Sequence, residues 1–295
     1  MITNDLMNKI RRIEIRTKRL VNDSYAGEYH SVFKGRGMEF DEVRPYQIGD
    51  EIRTIDWNVT ARTGQPYVKR YVEERELTVM LVVDASASEN FGSVNRFKRE
   101  LAAELTAVLS FAATTNNDKV GLLIFTDQIE LYIPPRKGRR HVLRLIRELL
   151  AFEPQNRGTD ITMALEKVNQ MLKRRSIIFV VSDFLAAPEG YKKALAVTNR
   201  RHDVIAVNLQ DPLEKDIKNV GMLALEDPET DEIVWVDTGS GAWREAYRRS
   251  AQNLETAKIK VFRQASVDRI DIWTDEEYTA PLTAFFQERA RRIRH

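Results

Sequence analysis

Asp84-Ala85-Ser86-Ala87-Ser88 places one carboxylate and two hydroxyls at alternate positions, directly after an apolar, β-branched run over residues 77–83. Oxygen donors carried on the end of a rigid strand can converge on a hard cation such as Mg²⁺ or Mn²⁺. The same stretch also satisfies an Asx turn followed by a helix cap, because Asp and Ser favour both. Two further loops add donors. Arg157-Gly158-Thr159-Asp160 opens a helix and presents the Thr159 hydroxyl, which read alone is an N-cap. Ser182-Asp183-Phe184 follows a second fully apolar run, and Asp183 read alone is a turn residue. Together Asp84, Ser86, Ser88, Thr159 and Asp183 make one set of oxygen donors drawn from three loops.

The surrounding chemistry argues for binding over catalysis. Asp84 could attack a phosphoryl group beside Mg²⁺ as a nucleophile. Phosphatases of the haloacid dehalogenase type usually carry an acid/base Asp two residues later, and here that position is Ser86, which cannot titrate near neutral pH. His30, His141, His202 and His295 have no evident triad context, and no Gly-x-Ser-x-Gly elbow occurs. There is no Gly-x-x-x-x-Gly-Lys phosphate loop, so an ATPase would have to be a separate partner. Gly35-Arg36-Gly37 reads as a turn. With no cysteine in the chain, disulfides, thiolate zinc sites and cysteine nucleophiles are ruled out.

The elements that must position these loops alternate. Strands are expected over 77–83, 120–125, 130–133, 176–181, 203–209 and 267–273, with helices over 96–115, 139–152, 161–172, 191–200, 242–264 and 282–293. The runs at 77–83 and 176–181 lack alternation and suit strands covered on both faces. Residues 222–225 and 232–236 flank Asp227-Pro228-Glu229-Thr230-Asp231, a hairpin signature. Alternating β and α elements imply an α/β, Rossmann-like fold: a mostly parallel sheet with helices on both faces. Ligands of such sheets sit beyond the carboxyl ends of the strands, which is where the three loops fall.

Three segments follow. Residues 1–24 place Leu6, Ile10, Ile13, Thr17 and Leu20 on one stripe of a basic amphipathic helix, capped by Asn4 or Asp5. Such a helix can dock on its own protein or lie on an anionic membrane; the narrow stripe without Trp or Phe favours docking. Residues 25–76, punctuated by Gly27, Gly35, Gly37, Gly49, Gly64, Pro45 and Pro66, read as hairpins and extended loops, β-rich and without helix. Arg44, Arg53 and Arg62 beside Asp50 and Asp56 read as a structural ion-pair network, or else a recognition surface, and Trp57 as the core anchor of this block. Residues 77–295 form the α/β domain.

Charge separates few function classes. The 46 basic and 44 acidic side chains leave a net +2, which provides no overall field for nucleic acid. Arg289, Arg291, Arg292 and Arg294 read as a solvated helix face, with nucleic-acid binding a weaker reading. The N-terminal stretch interleaves charge with apolar residues, so neither a signal peptide nor a membrane span is read there. The expected location is the cytoplasm.

The donor set resembles the metal-ion-dependent adhesion site (MIDAS) of von Willebrand factor A domains: Asp-x-Ser-x-Ser in a first loop (Asp84, Ser86, Ser88), Thr in a second (Thr159) and Asp in a third (Asp183). The resemblance implies direct metal contact by the three hydroxyls, with the carboxylates holding the ion largely through water. The run Glu39-Phe40-Asp41-Glu42-Val43-Arg44-Pro45-Tyr46, then Gly49-Asp50-Glu51-Ile52-Arg53-Thr54-Ile55-Asp56-Trp57, then Ala61-Arg62, resembles the hallmark block of the DUF58 family. Members of that family commonly accompany AAA+ ATPases of the MoxR class, including in aerotolerance-type operons. What the resemblance implies is a Mg²⁺-dependent protein-interaction adaptor or co-chaperone, not an enzyme. It would join a MoxR-type ATPase to clients that offer an acidic residue to the metal. The alternatives are a Mg²⁺-dependent phosphohydrolase using Asp84, or a membrane-surface scaffold with peripheral contact.

Overall fold

The computed structural model describes Tyr29, Val32 and residues 38–73, 76–94, 96–228 and 232–294. The helix expected over residues 1–24 lies outside them. The chain divides into two compact units: Phe33–Leu77, and residues 78–295 together with the segment before Phe33.

In the smaller unit, strand β1 (Met38–Pro45), helix α1 (Trp57–Thr63) and strand β2 (Tyr67–Glu73) follow one another. β1 and β2 pair antiparallel, with a register shift between Phe40 and Glu42. The helix corrects the expectation of hairpins and extended loops without helix. Asp56 accepts from the Asn58 and Val59 amides at its start, and Gly64 closes it at φ +75°. In a stretch dense in Gly and charge, those two caps were the only helical signal. Trp57 is also corrected: it is 67% exposed, as are Ile48 and Ile52 to a similar or greater degree, while Val68 is buried. The ion-pair network reduces to Arg44 gripping Asp50 through two hydrogen bonds of 2.8 and 2.7 Å. Asp56 serves as the helix cap, 3.6 Å from Lys69, and Arg62 turns to the Asn58 carbonyl.

The larger unit is built in chain order from β3 (Thr78–Asp84), α2 (Lys98–Thr115), β4 (Lys119–Phe125), β5 (Ile129–Arg136), α3 (Arg139–Leu150), α4 (Ile161–Met171), β6 (Ile177–Ser182), α5 (Pro188–Arg201), β7 (Asp203–Gln210), α6 (Pro212–Lys215), β8 (Met222–Glu226), β9 (Ile233–Asp237), α7 (Gly241–Gln264), β10 (Asp268–Trp273) and α8 (Thr279–Arg294). Six strands form one sheet in the order β10-β7-β6-β3-β4-β5, parallel except for the edge strand β5. β8 and β9 form the separate expected hairpin.

Helices cover both faces. Met80 and Val82 of β3 join Leu165 and Val168 of α4, Leu195 of α5 and Phe262 of α7 in one apolar layer. Alternation sends Val79, Leu81 and Val83 to the opposite face. There α2 packs on β3, β4 and β7 and against α3. Every residue of β3 from Val79 onward is buried, as is all of β6, which accounts for their unbroken apolar sequence. Each such side chain contributes about 1.5–3 kcal/mol by leaving water, so a charge at Val82 would break the sheet before it touched the site. The basic C-terminal helix is less solvated than its sequence implied: Arg289 pairs with Asp203 and, at 2.8 Å, with Asp268. No described helix is long and apolar enough to cross a membrane.

Candidate metal centre

From β3 the chain moves to β4 on one side, then returns through α3 and α4 to β6 on the other side of β3. The connections therefore diverge at the carboxyl ends of β3 and β6, opening the crevice in which such sheets bind ligands. Asp84 ends β3, and Ser182 ends β6 beside it.

The Asp-x-Ser-x-Ser loop adopts the Asx turn of its two local readings and not the side-chain helix cap, since Ser86 precedes the next turn without one. Asp84 Oδ1 accepts from the Ser86 amide at 2.9 Å, an Asx turn, and Ala87–Asn90 forms a short 3-10 turn. The Ser86 and Ser88 hydroxyls lie 3.2 Å apart. From the neighbouring strand the Ser182 hydroxyl donates to Asp84 Oδ2 at 2.6 Å. Asp183 then donates its amide to Glu89 Oε1 at 3.0 Å, and its own Oδ1 accepts from the Leu185 amide at 3.1 Å. Phe184, between them, sits at φ +52° with its ring buried against Tyr191 and Phe262. A left-handed Phe is strained, and packing on both sides holds it there.

The structure thus brings together Asp84, Ser86, Ser88 and Asp183. Thr159 is half-buried on the adjoining loop. That loop is tied in by the Ala87 amide on the Arg157 carbonyl, 2.9 Å, and the Asp160 amide on the Thr126 carbonyl, 3.0 Å. The cap of α4 is Asp160, whose Oδ1 accepts from the Met163 amide, so Thr159 is not used as the N-cap.

Three groups escaped the sequence reading. Glu89, immediately after Ser88, is 1% exposed, and one oxygen each of Asp84, Glu89 and Asp183 lie within 4.8 Å of one another. Lys98, at the start of α2, is fully buried and bridges Asp183 Oδ2 at 2.5 Å and Glu214 Oε1 at 2.6 Å. Lys258 donates to the Asp183 carbonyl at 3.2 Å. A carboxylate next to the last serine was the one visible signal for Glu89. Lys98 had none, since a lysine in a first helical turn usually faces water.

The electrostatics follow from this crowding. Burial, reinforced by the charge of Asp183, pushes Asp84 up to about 7. Burial also drives Glu89 well above the ordinary carboxylate range, with Asp183 adding to it. Asp183 feels the same burial, but the Lys98 charge and hydrogen bond outweigh it and hold it below the usual value. Three buried carboxylates therefore crowd one end of the sheet, with the Lys98 ammonium shared between Asp183 and Glu214 and the Lys258 ammonium on the Asp183 carbonyl. Glu89 Oε2 has no hydrogen-bond partner. A divalent cation among these oxygens would favour the ionised forms of Asp84 and Glu89 that burial alone disfavours. Carboxylate and hydroxyl donors are the set that Mg²⁺ or Mn²⁺ takes, so the residues present fit such an ion. The cleft beside the loop, lined by Ala85, Asn90, Arg99 and Leu149, holds about 60 Å³, well below the ~300–1,000 Å³ of metabolite pockets. Phe91, Val94, Phe97 and Leu185, close in sequence to the ligand loops, are all exposed.

Fold and site define an α/β protein with a cluster of oxygen donors at the crest of a doubly wound, mostly parallel sheet, as a von Willebrand factor A-like reading requires. Residues 42–257 match the family described as "Protein of unknown function DUF58", and the chain belongs to that family. It is 30% identical over 284 residues to the uncharacterized protein Rv1480 of Mycobacterium tuberculosis, covering 96% of this chain and 89% of that one. In fold it is similar to the crystal structure of the conserved hypothetical protein BatB from Bacteroides thetaiotaomicron: TM-score 0.52, 15% identity, 73% of this chain and 99% of that one. An aerotolerance-related membrane protein from Bacteroides fragilis overlays equally, at TM-score 0.52, with 16% identity and the same coverage.

Proposed function

We propose that this protein is a Mg²⁺-dependent interaction module, an adaptor or co-chaperone that joins a MoxR-type AAA+ ATPase to client proteins in the cytoplasm. The observation that carries the reading is the convergence of the buried carboxylates of Asp84, Glu89 and Asp183 with the Ser86 and Ser88 hydroxyls. Bound there, the ion would offer a partner's Asp or Glu a coordination position, while Phe91, Val94, Phe97 and Leu185 would give that partner an apolar rim. Asp84, Ser86 and Ser88 would hold the metal, with Thr159 and Asp183 completing the set. The ATPase as partner rests on the family resemblance.

Catalysis by Asp84 is the weaker reading. Both its oxygens already accept hydrogen bonds inside the fold, from the Ser86 amide and the Ser182 hydroxyl. The position two residues on, where an aspartyl nucleophile of this kind has its acid/base Asp, is Ser86. The test is titration of Mg²⁺ by calorimetry, followed by capture of the ATPase with wild type and Asp84→Ala. The reading expects metal affinity and capture to fall together in the variant. Unchanged affinity in Asp84→Ala would overturn the site. Mg²⁺-dependent turnover of a generic phosphoester that vanishes in Asp84→Asn would establish the hydrolase in its place.

A further inference from the structure

Among the described residues of the ligand loops, Glu89 Oε2 is a buried polar atom without a hydrogen-bond partner. Its neighbours are engaged. Asp84 is held by Ser86 and Ser182, and Asp183 by Leu185 and Lys98. Lys98 cannot serve Glu89 as well as it serves Asp183, because its ammonium lies in short contacts to Asp183 and Glu214. A buried carboxylate oxygen without a partner is unfavourable unless a cation or a proton meets it. The backbone under Glu89 is firmly placed: its amide donates to the Ser86 carbonyl at 3.1 Å, and the Phe91 amide donates to the Ser88 carbonyl at 3.2 Å. The side chain is tethered only at Oε1, by the Asp183 amide. It is therefore a carboxylate beside the other two, with one of its oxygens within 4.8 Å of theirs, on a fixed backbone and with Oε2 spare.

We infer that Glu89 is a direct anionic ligand of the metal and holds, from within the chain, the coordination position that an acidic residue of a partner would otherwise take. This rests on the metal-dependent reading above and adds its partner chemistry. Asp84 and Glu89 together carry the two negative charges that balance a divalent ion, and the occupied site is closed until a partner carboxylate replaces Glu89. Binding is then an exchange of one carboxylate for another. That makes it reversible and dependent on the apolar rim for net affinity. Glu89 lies two residues before Phe91, so its displacement would be felt in the same turn that carries the rim.

The test uses Mn²⁺ on the full chain, reading affinity by calorimetry and open coordination positions by water-proton relaxation. Wild type is expected to bind Mn²⁺ with low relaxation enhancement that added acetate does not change. Glu89→Gln is expected to bind more weakly by at least the ~10–100-fold that even outer residues of metal sites cost. It should also show higher enhancement per bound ion, quenched by acetate. Glu89→Asp, which keeps the charge and shortens the reach, should show the same rise in enhancement with a smaller loss of affinity. It decides the matter if the Gln variant does not fold. Variants matching wild type in both affinity and enhancement would overturn the inference and leave the metal site standing. Failure of wild type to bind Mn²⁺ would sink the metal reading itself.

Discussion

Two aspartates in this molecule hold a cation at nearly the same distance, in opposite surroundings. Asp50 grips Arg44 at 2.7 Å in the small unit, with the two side chains 19% and 34% exposed. Asp183 grips Lys98 at 2.5 Å at the crest of the large sheet, with the side chains 2% and 0% exposed. Water screens the first pair, and its loss is made good by solvent. The second has no water to fall back on, so each charge requires its partner, and the carboxylates left over require something more. Distance alone would rank the pairs together, whereas burial makes only the second a candidate for function.

The sharpest way to break this contrast is to remove the buried cation. Lys98→Ala, unfolded by urea in the presence of a chelator, should lose about 3–5 kcal/mol, since breaking a buried pair strands the opposite charges. A change below the error of the measurement would show that the crest is wet. The second effect is metal addition. Mg²⁺ at about 100 times its dissociation constant should add about 2.7 kcal/mol to wild type and nothing to Asp84→Ala; equal gains in both would place the ion elsewhere.

A smaller effect is expected at Asp211, which is buried and accepts from the Ser93 amide at 2.8 Å and from the Ser93 and Thr274 hydroxyls at 2.5 and 2.6 Å. Asp211→Asn should cost about 1–3 kcal/mol at neutral pH, the range for a buried polar group that loses its partners. Burial raises the Asp211 carboxyl, but the Ser93 and Thr274 bonds outweigh it and leave it below its ordinary value. Its stabilisation is therefore fully present above the unfolded value near 3.9 and lost as pH falls through the depressed folded value. The variant should flatten that acid limb in a pH series of melting curves. At the small end, Asp50→Asn should leave the urea midpoint unchanged, as should Trp57→Ser with its exposed ring. If either variant nevertheless loses ATPase capture, the small unit is a recognition surface as well as an ion-paired hairpin.

Much of the large unit was legible in advance. The unbroken runs that became β3 and β6 have no polar face to hide, so both sides of the sheet had to be covered. Asp84, Ser86 and Ser88 were visible because they alternate in the loop that leaves the end of an apolar strand. In the small unit the reading failed at α1, where Asp56 and Gly64 cap a helix inside a stretch otherwise typical of loops. It failed again at Trp57, because size and apolarity favour burial but do not enforce it.

What the sequence determined by itself is local: strand and helix periods, the oxygen donors of each loop, and the β/α alternation that brings those loops to one end of a parallel sheet. What only the tertiary structure decided is the charge state of that end. Lys98 reaches Asp183 across 85 positions and Glu214 across 116, and Glu89 reaches Asp183 across 94. No period or spacing encodes such meetings. They arise because strand order places the end of β6 beside the end of β3 and lays the first turn of α2 over both. The resulting loss of water turns ordinary surface residue types into a buried, crowded set of carboxylates.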